Sequence, residues 1–147
     1  MQRQSKSEEQ YIRHIEYILH NTDNLREAVS EARIKMIRPE IKTASGQNDP
    51  TAAEAIKNMT PIKSVFVGGR QIFNPEKWLE VSNKVENWCS RKGEIYEQVL
   101  KSRYGGKHYS ATCAMLEITN ETFYRILGRI RNYAALQAAY EHLIRID

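Results

Sequence analysis

Between positions 101 and 131 the chain carries Lys101, Arg103, Lys107, Arg125, Arg129 and Arg131 against only Glu117 and Glu121. The sixteen basic and sixteen acidic residues elsewhere cancel, so the formal net charge of +4 resides in this one segment. Charge gathered in this way suits neutralisation of phosphates, whereas the same excess spread evenly would mean only solubility. His108, Thr119, Asn120, Thr122 and Tyr124 add hydrogen-bonding groups that can reach phosphate oxygens or base edges. The plainer reading is a solvated polar face on an ordinary buried helix, and charge by itself does not separate the two.

The elements that must position these groups separate them better. Tyr109 to Arg131 (YSATCAMLEITNETFYRILGRIR) reads as a short helix, a tight turn and a longer basic helix, the layout of a helix-turn-helix that reads duplex DNA. Ala111, Met115 and Leu116 supply an apolar inner face for the first helix, with small Cys113 and Ala114 where backbones approach closely. Ile118 plugs the corner, and Thr119, or else Asn120, caps the free N–H groups of the second helix. Many such motifs place glycine in the turn; here Glu117 precedes Ile118 and is expected to adopt an ordinary turn conformation. Phe123, Ile126, Leu127 and Ile130 recur at spacings of three and four, which turns Asn120, Glu121, Tyr124, Arg125 and Arg129 to the other side. On this layout Lys107, His108, Arg129 and Arg131 meet phosphates, Asn120, Tyr124 and Arg125 face base edges, and Thr119 and Thr122 add backbone contacts.

These residues also carry a resemblance. Arg103-Tyr104-Gly105-Gly106 followed by Leu116-Glu117-Ile118-Thr119-Asn120-Glu121-Thr122-Phe123-Tyr124-Arg125 resembles the end of phage late-gene transcriptional regulators of the RinA and ArpU type. Asp49-Pro50-Thr51-Ala52 and Pro75-Glu76-Lys77-Trp78-Leu79 are similar to upstream segments of such regulators, although only the last fifty residues carry specific motifs. The resemblance implies a mainly α fold ending in a helix-turn-helix bundle like the promoter-recognition domain of sigma factors. It also implies activation of late genes at a promoter, with double-stranded promoter DNA and host RNA polymerase as partners.

Upstream, Tyr11, Ile15, Ile18, Thr22, Leu25, Val29, Ala32 and Met36 step by four and three, the spacing of a coiled-coil seam. Residues 1–38 therefore read as a helical arm, able to self-associate into a homodimer or to fold back intramolecularly. Asn21-Thr22-Asp23-Asn24 is a turn-forming cluster, and Asn24 with Glu27 resembles a capping box, so the arm is one bent helix or two. Residues 39–49 read as a linker and 50–147 as the DNA-binding domain, with a short helix capped by Asp49 over residues 50–58. A hairpin over residues 62–73 turns at Gly68-Gly69. Asn74-Pro75 opens a helix with Trp78, Val81, Val85 and Trp88 on its buried stripe, and Gly93 breaks it. Ile95, Val99, Tyr96 and Leu100 mark the next helix, which ends at Gly105-Gly106. Past Arg131, Tyr133, Leu136, Tyr140, Leu143 and Ile144 either extend the basic helix or fold back after Asn132.

With 147 residues, 41% apolar and 27% charged, the chain suits one ordinary folded domain, or a small domain plus an appendage. It has no apolar run long enough for a bilayer, and its first ten residues lack the apolar segment of a secretory leader, which predicts a cytoplasmic protein of the bacterial host and no membrane partner. Cys89 and Cys113 read as buried small side chains, and the glycosylation patterns at Asn58 and Asn120 as chance. No catalytic constellation stands out. His14, His20, His108 and His142 lie far apart without ligand spacing, and Gly68-Gly69-Arg70 lacks the ending of a phosphate loop, so neither an enzyme nor a metal or cofactor is expected. Two alternatives to a promoter activator stand: a small, terminase-like packaging subunit that recognises viral DNA, and an adaptor whose basic helix docks on an acidic protein.

Overall fold

In a computed structural model, residues 6–37 and 60–145 are described. They form a mainly helical protein with six helices and one two-stranded antiparallel sheet. The helices are α1 (Lys6–His20), α2 (Thr22–Ile37), α3 (Pro75–Lys92), α4 (Glu94–Tyr104), α5 (Tyr109–Leu116) and α6 (Asn120–Tyr140); β1 (Ser64–Val67) and β2 (Arg70–Phe73) lie between α2 and α3. The linker and the short helix expected over residues 39–58 fall outside the described residues. No described helix is long and apolar enough to cross a membrane. The chain divides into two compact units, one joining the chain up to Thr22 with the chain from Glu80 onward, the other running Asp23–Leu79.

The N-terminal segment is two helices, broken at Asn21, where the backbone N–H reaches the carbonyls of both Tyr17 and Ile18. Asn24 is not the cap of the second; that helix has already begun at Thr22. In the first unit Thr22 is buried, donates its hydroxyl to the Ile18 carbonyl at 3.0 Å and lies 3.2 Å from the buried Ser82 hydroxyl. The apolar side of α1 is covered within this unit, where Ile15 and Ile18 are buried and α1 packs on α6 and α4. Val81, Val85, Cys89, Val99, Phe123, Leu127, Ile130, Ala134 and Ala138 complete its core. The small alanines late in α6 let neighbouring backbones come close.

In the second unit the hairpin pairs Ser64 with Phe73, Val65 with Ile72, Phe66 with Gln71 and Val67 with Arg70. Its two-residue connection needs positive φ at both positions, and Gly68 (56°) and Gly69 (79°) supply it without steric cost. Alternation then buries Val65, Val67 and Ile72 on one face. The hairpin's leading edge is tied down by a carboxylate. Glu76, in the first turn of α3, accepts both Nη2–H bonds of Arg33 at 2.6 and 2.7 Å and the Ile62 backbone N–H at 3.0 Å. Burial works against the charged form of Glu76, but the bonds from Arg33 and Ile62 and the Arg33 charge outweigh it and hold the carboxyl below its ordinary pKa.

Candidate nucleic-acid interface

The basic segment is built on α5, a three-residue turn and α6. α5 is capped by His108, whose backbone is extended and whose ring nitrogen Nδ1 accepts the Ser110 N–H at 3.2 Å. The ring expected to meet phosphate thus caps a helix as well. Ahead of it, the buried Ser102 hydroxyl donates to the Lys107 carbonyl at 3.2 Å, which ties the Gly105–His108 loop to α4.

The inner face of α5 differs from the expected one. Thr112 and Cys113 are buried, whereas Ala111 and Ala114 are exposed and Met115 is 59% exposed. The α4 stripe shifts similarly: Val99 and Ser102 are buried, and Ile95 stands 41% exposed. Both helices are short, and small residues fill positions that the apolar pattern assigned to larger ones.

The turn is also not of the ordinary kind. Glu117 sits in the left-handed region at φ 55°, ψ 44°. Its N–H bonds the Ala114 carbonyl at 3.4 Å, and the Ile118 N–H bonds the Cys113 carbonyl at 3.0 Å. This is the Schellman closure of a helix, the arrangement that most often recruits glycine. Immediately after it Thr119 takes the expected role: its backbone is extended and its Oγ1 accepts the Thr122 N–H at 3.1 Å. The Thr119 and Thr122 hydroxyls also bond each other at 3.0 Å. Closure of one helix and capping of the next leave only Glu117, Ile118 and Thr119 between them, so the direction of α6 is set locally.

α6 buries Phe123, Ile126, Leu127 and Ile130, the expected stripe, and continues as one helix to Tyr140. It ends in a second Schellman closure, with His142 at φ 59° and the Leu143 N–H on the Ala138 carbonyl at 2.9 Å. On the opposite side Asn120, Glu121, Tyr124, Arg125 and Arg129 are exposed. Tyr124 leans on Tyr109 and Phe123, with ring centroids 5.9 and 5.5 Å away. Arg125 approaches Glu121 at 3.9 Å; both are exposed, so water screens the pair and Arg125 is readily redirected. Arg129 donates to the Tyr96 hydroxyl at 2.9 Å. Tyr96 packs edge-on against Trp88, which stacks flat on Tyr133 at 4.4 Å, so an aromatic cluster from α3, α4 and α6 orients Arg129.

Arg131 is placed otherwise. Its guanidinium binds Glu16 of α1, and the same Glu16 oxygen accepts the Tyr104 hydroxyl at 3.1 Å. Arg103 and His20 stand 3.7 and 3.5 Å from the other oxygen, which is buried and has no hydrogen bond. Arg131, expected at a phosphate, is thus engaged within the molecule by Glu16. Burial first and the Glu16 charge second raise the Tyr104 phenol well above its ordinary pKa. Nothing in the local sequence announces Glu16, Trp88 or Tyr96 as partners of this surface, because each reaches it from another element.

Beside the exposed face, a groove of about 330 Å³ opens between the start of α4 and α6, with Ile95, Tyr96 and Ile126 in its wall and Lys92, Arg125 and Arg129 around it. The structure thus brings together Thr119, Asn120, Glu121, Thr122, Tyr124, Arg125 and Arg129 on one helix start. It puts Lys107 and His108 on the loop before α5, and pairs Arg131 with Glu16. Compared with known proteins, the chain matches no family model, and neither a curated protein nor a solved structure matches it.

Proposed function

We propose that the chain binds double-stranded DNA through α5, its turn and α6, acting as a helix-turn-helix, and that it activates transcription at a phage promoter with host RNA polymerase. One observation carries the reading. The first two turns of α6 present Asn120, Tyr124 and Arg125 to solvent while the stripe beneath them is fully buried, so a rigid scaffold holds groups suited to base edges. The short connection through Glu117 supports the same reading, since both of its ends are hydrogen-bonded and α6 cannot pivot freely. Arg129, and Lys107 on the preceding loop, supply charge for phosphates; Arg131 does not. The likeness of this segment to RinA and ArpU regulators supplies the promoter and the polymerase as partners.

The test is a mobility-shift titration of the full chain on promoter fragments and on random duplex at low and moderate salt. The duplex reading expects retardation of both at low salt and survival of the promoter complex alone as salt rises. A sizing measurement on the same sample tells a monomer or dimer, expected of an activator, from the large ring of a packaging subunit.

A second reading draws on the groove between α4 and α6. Its apolar wall and three surrounding cations also suit an acidic segment with an aliphatic anchor, which would make the chain an adaptor without a nucleic-acid partner. No retardation of any duplex at low salt favours that adaptor.

A further inference from the structure

Two exposed apolar features could receive a partner, and charge separates them. The outer face of the hairpin shows Phe66 at 67% and Phe73 at 57% exposure, but the side chains sharing that face are the uncharged Ser64 and Gln71, so nothing there selects an occupant. The groove between α4 and α6 differs, because cations line it together with its apolar wall. It forms where Gly93, at φ 121°, ends α3 and opens α4, which brings Lys92, Ile95 and Tyr96 into one cavity with Arg125, Ile126 and Arg129 of α6. Ile95 is 41% exposed, although the helical period places it inside. At about 330 Å³ the groove has the volume of the smaller ligand pockets. An aliphatic side chain set against Ile95 and Ile126 would be covered by apolar surface from two helices.

The charges around it stay available to an anion. Lys92 Nζ lies 5.5 Å from the centre of the Trp88 ring and Arg129 donates to the Tyr96 hydroxyl; both partners are neutral and orient a cation without cancelling it. Arg125 stands 3.9 Å from Glu121 in an exposed pair that water screens. Among the residues lining the groove, Glu94 is the one carboxylate against these three cations. Cations around an aliphatic wall fit an acidic polypeptide segment with an aliphatic side chain among its carboxylates. Nucleic acid is the poorer occupant of the groove itself, since its sugar-phosphate backbone offers anions to the cations but no aliphatic group to Ile95 and Ile126. Arg125 and Arg129 nevertheless belong both to this rim and to the exposed face of α6. Carboxylates seated on them take the donors that bases and phosphates would use.

We propose that the groove between α4 and α6 docks an acidic protein segment through an aliphatic anchor, and that this segment and duplex DNA exclude each other at Arg125 and Arg129. The docking stands on the groove alone; the exclusion rests on the duplex reading. The probe is a short fluorescein-labelled peptide of aspartate and glutamate around one leucine, followed by fluorescence anisotropy on the full chain at low salt. Its control is the same peptide with serine in place of leucine. The leucine peptide should bind at least about fivefold more tightly than the control, the margin expected of one buried anchor. Ile95→Ala should weaken the leucine peptide by a similar factor while random-duplex retardation stays at the parent value. Unlabelled leucine peptide should release random duplex from the parent chain. Equal binding of the two peptides, or none, overturns the docking, as does parent affinity in Ile95→Ala. Docking through Ile95 with the duplex still held overturns the exclusion. Docking through Ile95 with no duplex retarded at low salt supports the dock and removes the duplex reading, and the exclusion with it. A parent dimer that Ile95→Ala turns into a monomer on sizing would assign the groove to a second copy and overturn the proposal.

Discussion

Arg125 and Lys107 lie in one charged segment, yet their surroundings assign them different work. Arg125 projects from the second turn of α6 and is held only by a screened contact to Glu121. Arg125→Ala should therefore remove about 1 to 3 kcal/mol of discrimination between promoter and random duplex. Lys107→Ala should weaken every duplex alike and flatten the salt slope by about one unit. Competition titrations at two salt concentrations check both; equal loss on all sequences from Arg125→Ala would remove it from the base-reading set. Tyr104 gives a spectroscopic marker of the Glu16 cluster. Its phenol is raised in the folded state, so the stability it contributes is fully present below the ordinary tyrosine pKa and is lost as pH climbs through the raised value. Absorbance at alkaline pH should show a late phenol ionisation, and Tyr104→Phe should abolish that step. Cys89 behaves analogously: burial first, then Glu97 and Glu86, push its thiol up to about 12, so a thiol reagent at neutral pH should reach it only when the protein unfolds.

At the scale of elements, the α5–α6 turn carries the clearest local strain. A left-handed conformation costs a residue with a Cβ about 1 to 2 kcal/mol, and glycine avoids this while losing more chain entropy on folding. Glu117→Gly should consequently stabilise the protein by about 0.5 to 1 kcal/mol, read as a higher denaturant midpoint with unchanged slope. Glu117→Val should destabilise it by at least as much, because a β-branched residue tolerates this region poorly. The turn was only half legible in the sequence. Thr119 as a cap and the Phe123, Ile126, Leu127, Ile130 stripe were readable because a long helix repeats its period several times. The buried side of α5 was not, since Tyr109 to Leu116 is nearly all small or apolar and its eight residues offer no second period; Thr112 and Cys113 are inside and Met115 is out. The hairpin was readable from Gly68-Gly69, where composition dictates the turn, although its exposed phenyls were not distinguished from core.

On the scale of the whole molecule, the consequential contact joins residues 115 positions apart: Glu16 holding Arg131. It fastens α1 to α6 and removes a cation from the basic surface. Glu16→Gln keeps the shape and an acceptor but loses the charge, and should cost about 1 to 3 kcal/mol of stability because Arg131 and Arg103 are left without a counter-ion in a partly buried site. On the proposed duplex function the same change frees positive charge, so binding should tighten and the salt slope should steepen by about one unit. Urea melts and salt-dependent mobility shifts on the same variant measure the two effects separately; a stability loss without any gain in duplex binding would show that Arg131 lies too far from the nucleic acid to matter.

The sequence by itself determined a mainly helical chain, the hairpin turn, the cap at Thr119, the buried stripe of α6 and the confinement of net charge to one segment. All of these follow from neighbours within a few positions, where backbone preference and helical period act directly. Tertiary structure alone decided that Arg131 is taken by Glu16, that Tyr96 and Trp88 orient Arg129, that Glu117 adopts a left-handed turn and that Phe66 and Phe73 face outward. The reason is physical: charge pairing and burial depend on distance in space, and short elements carry too few residues for their own pattern to say which side will be covered.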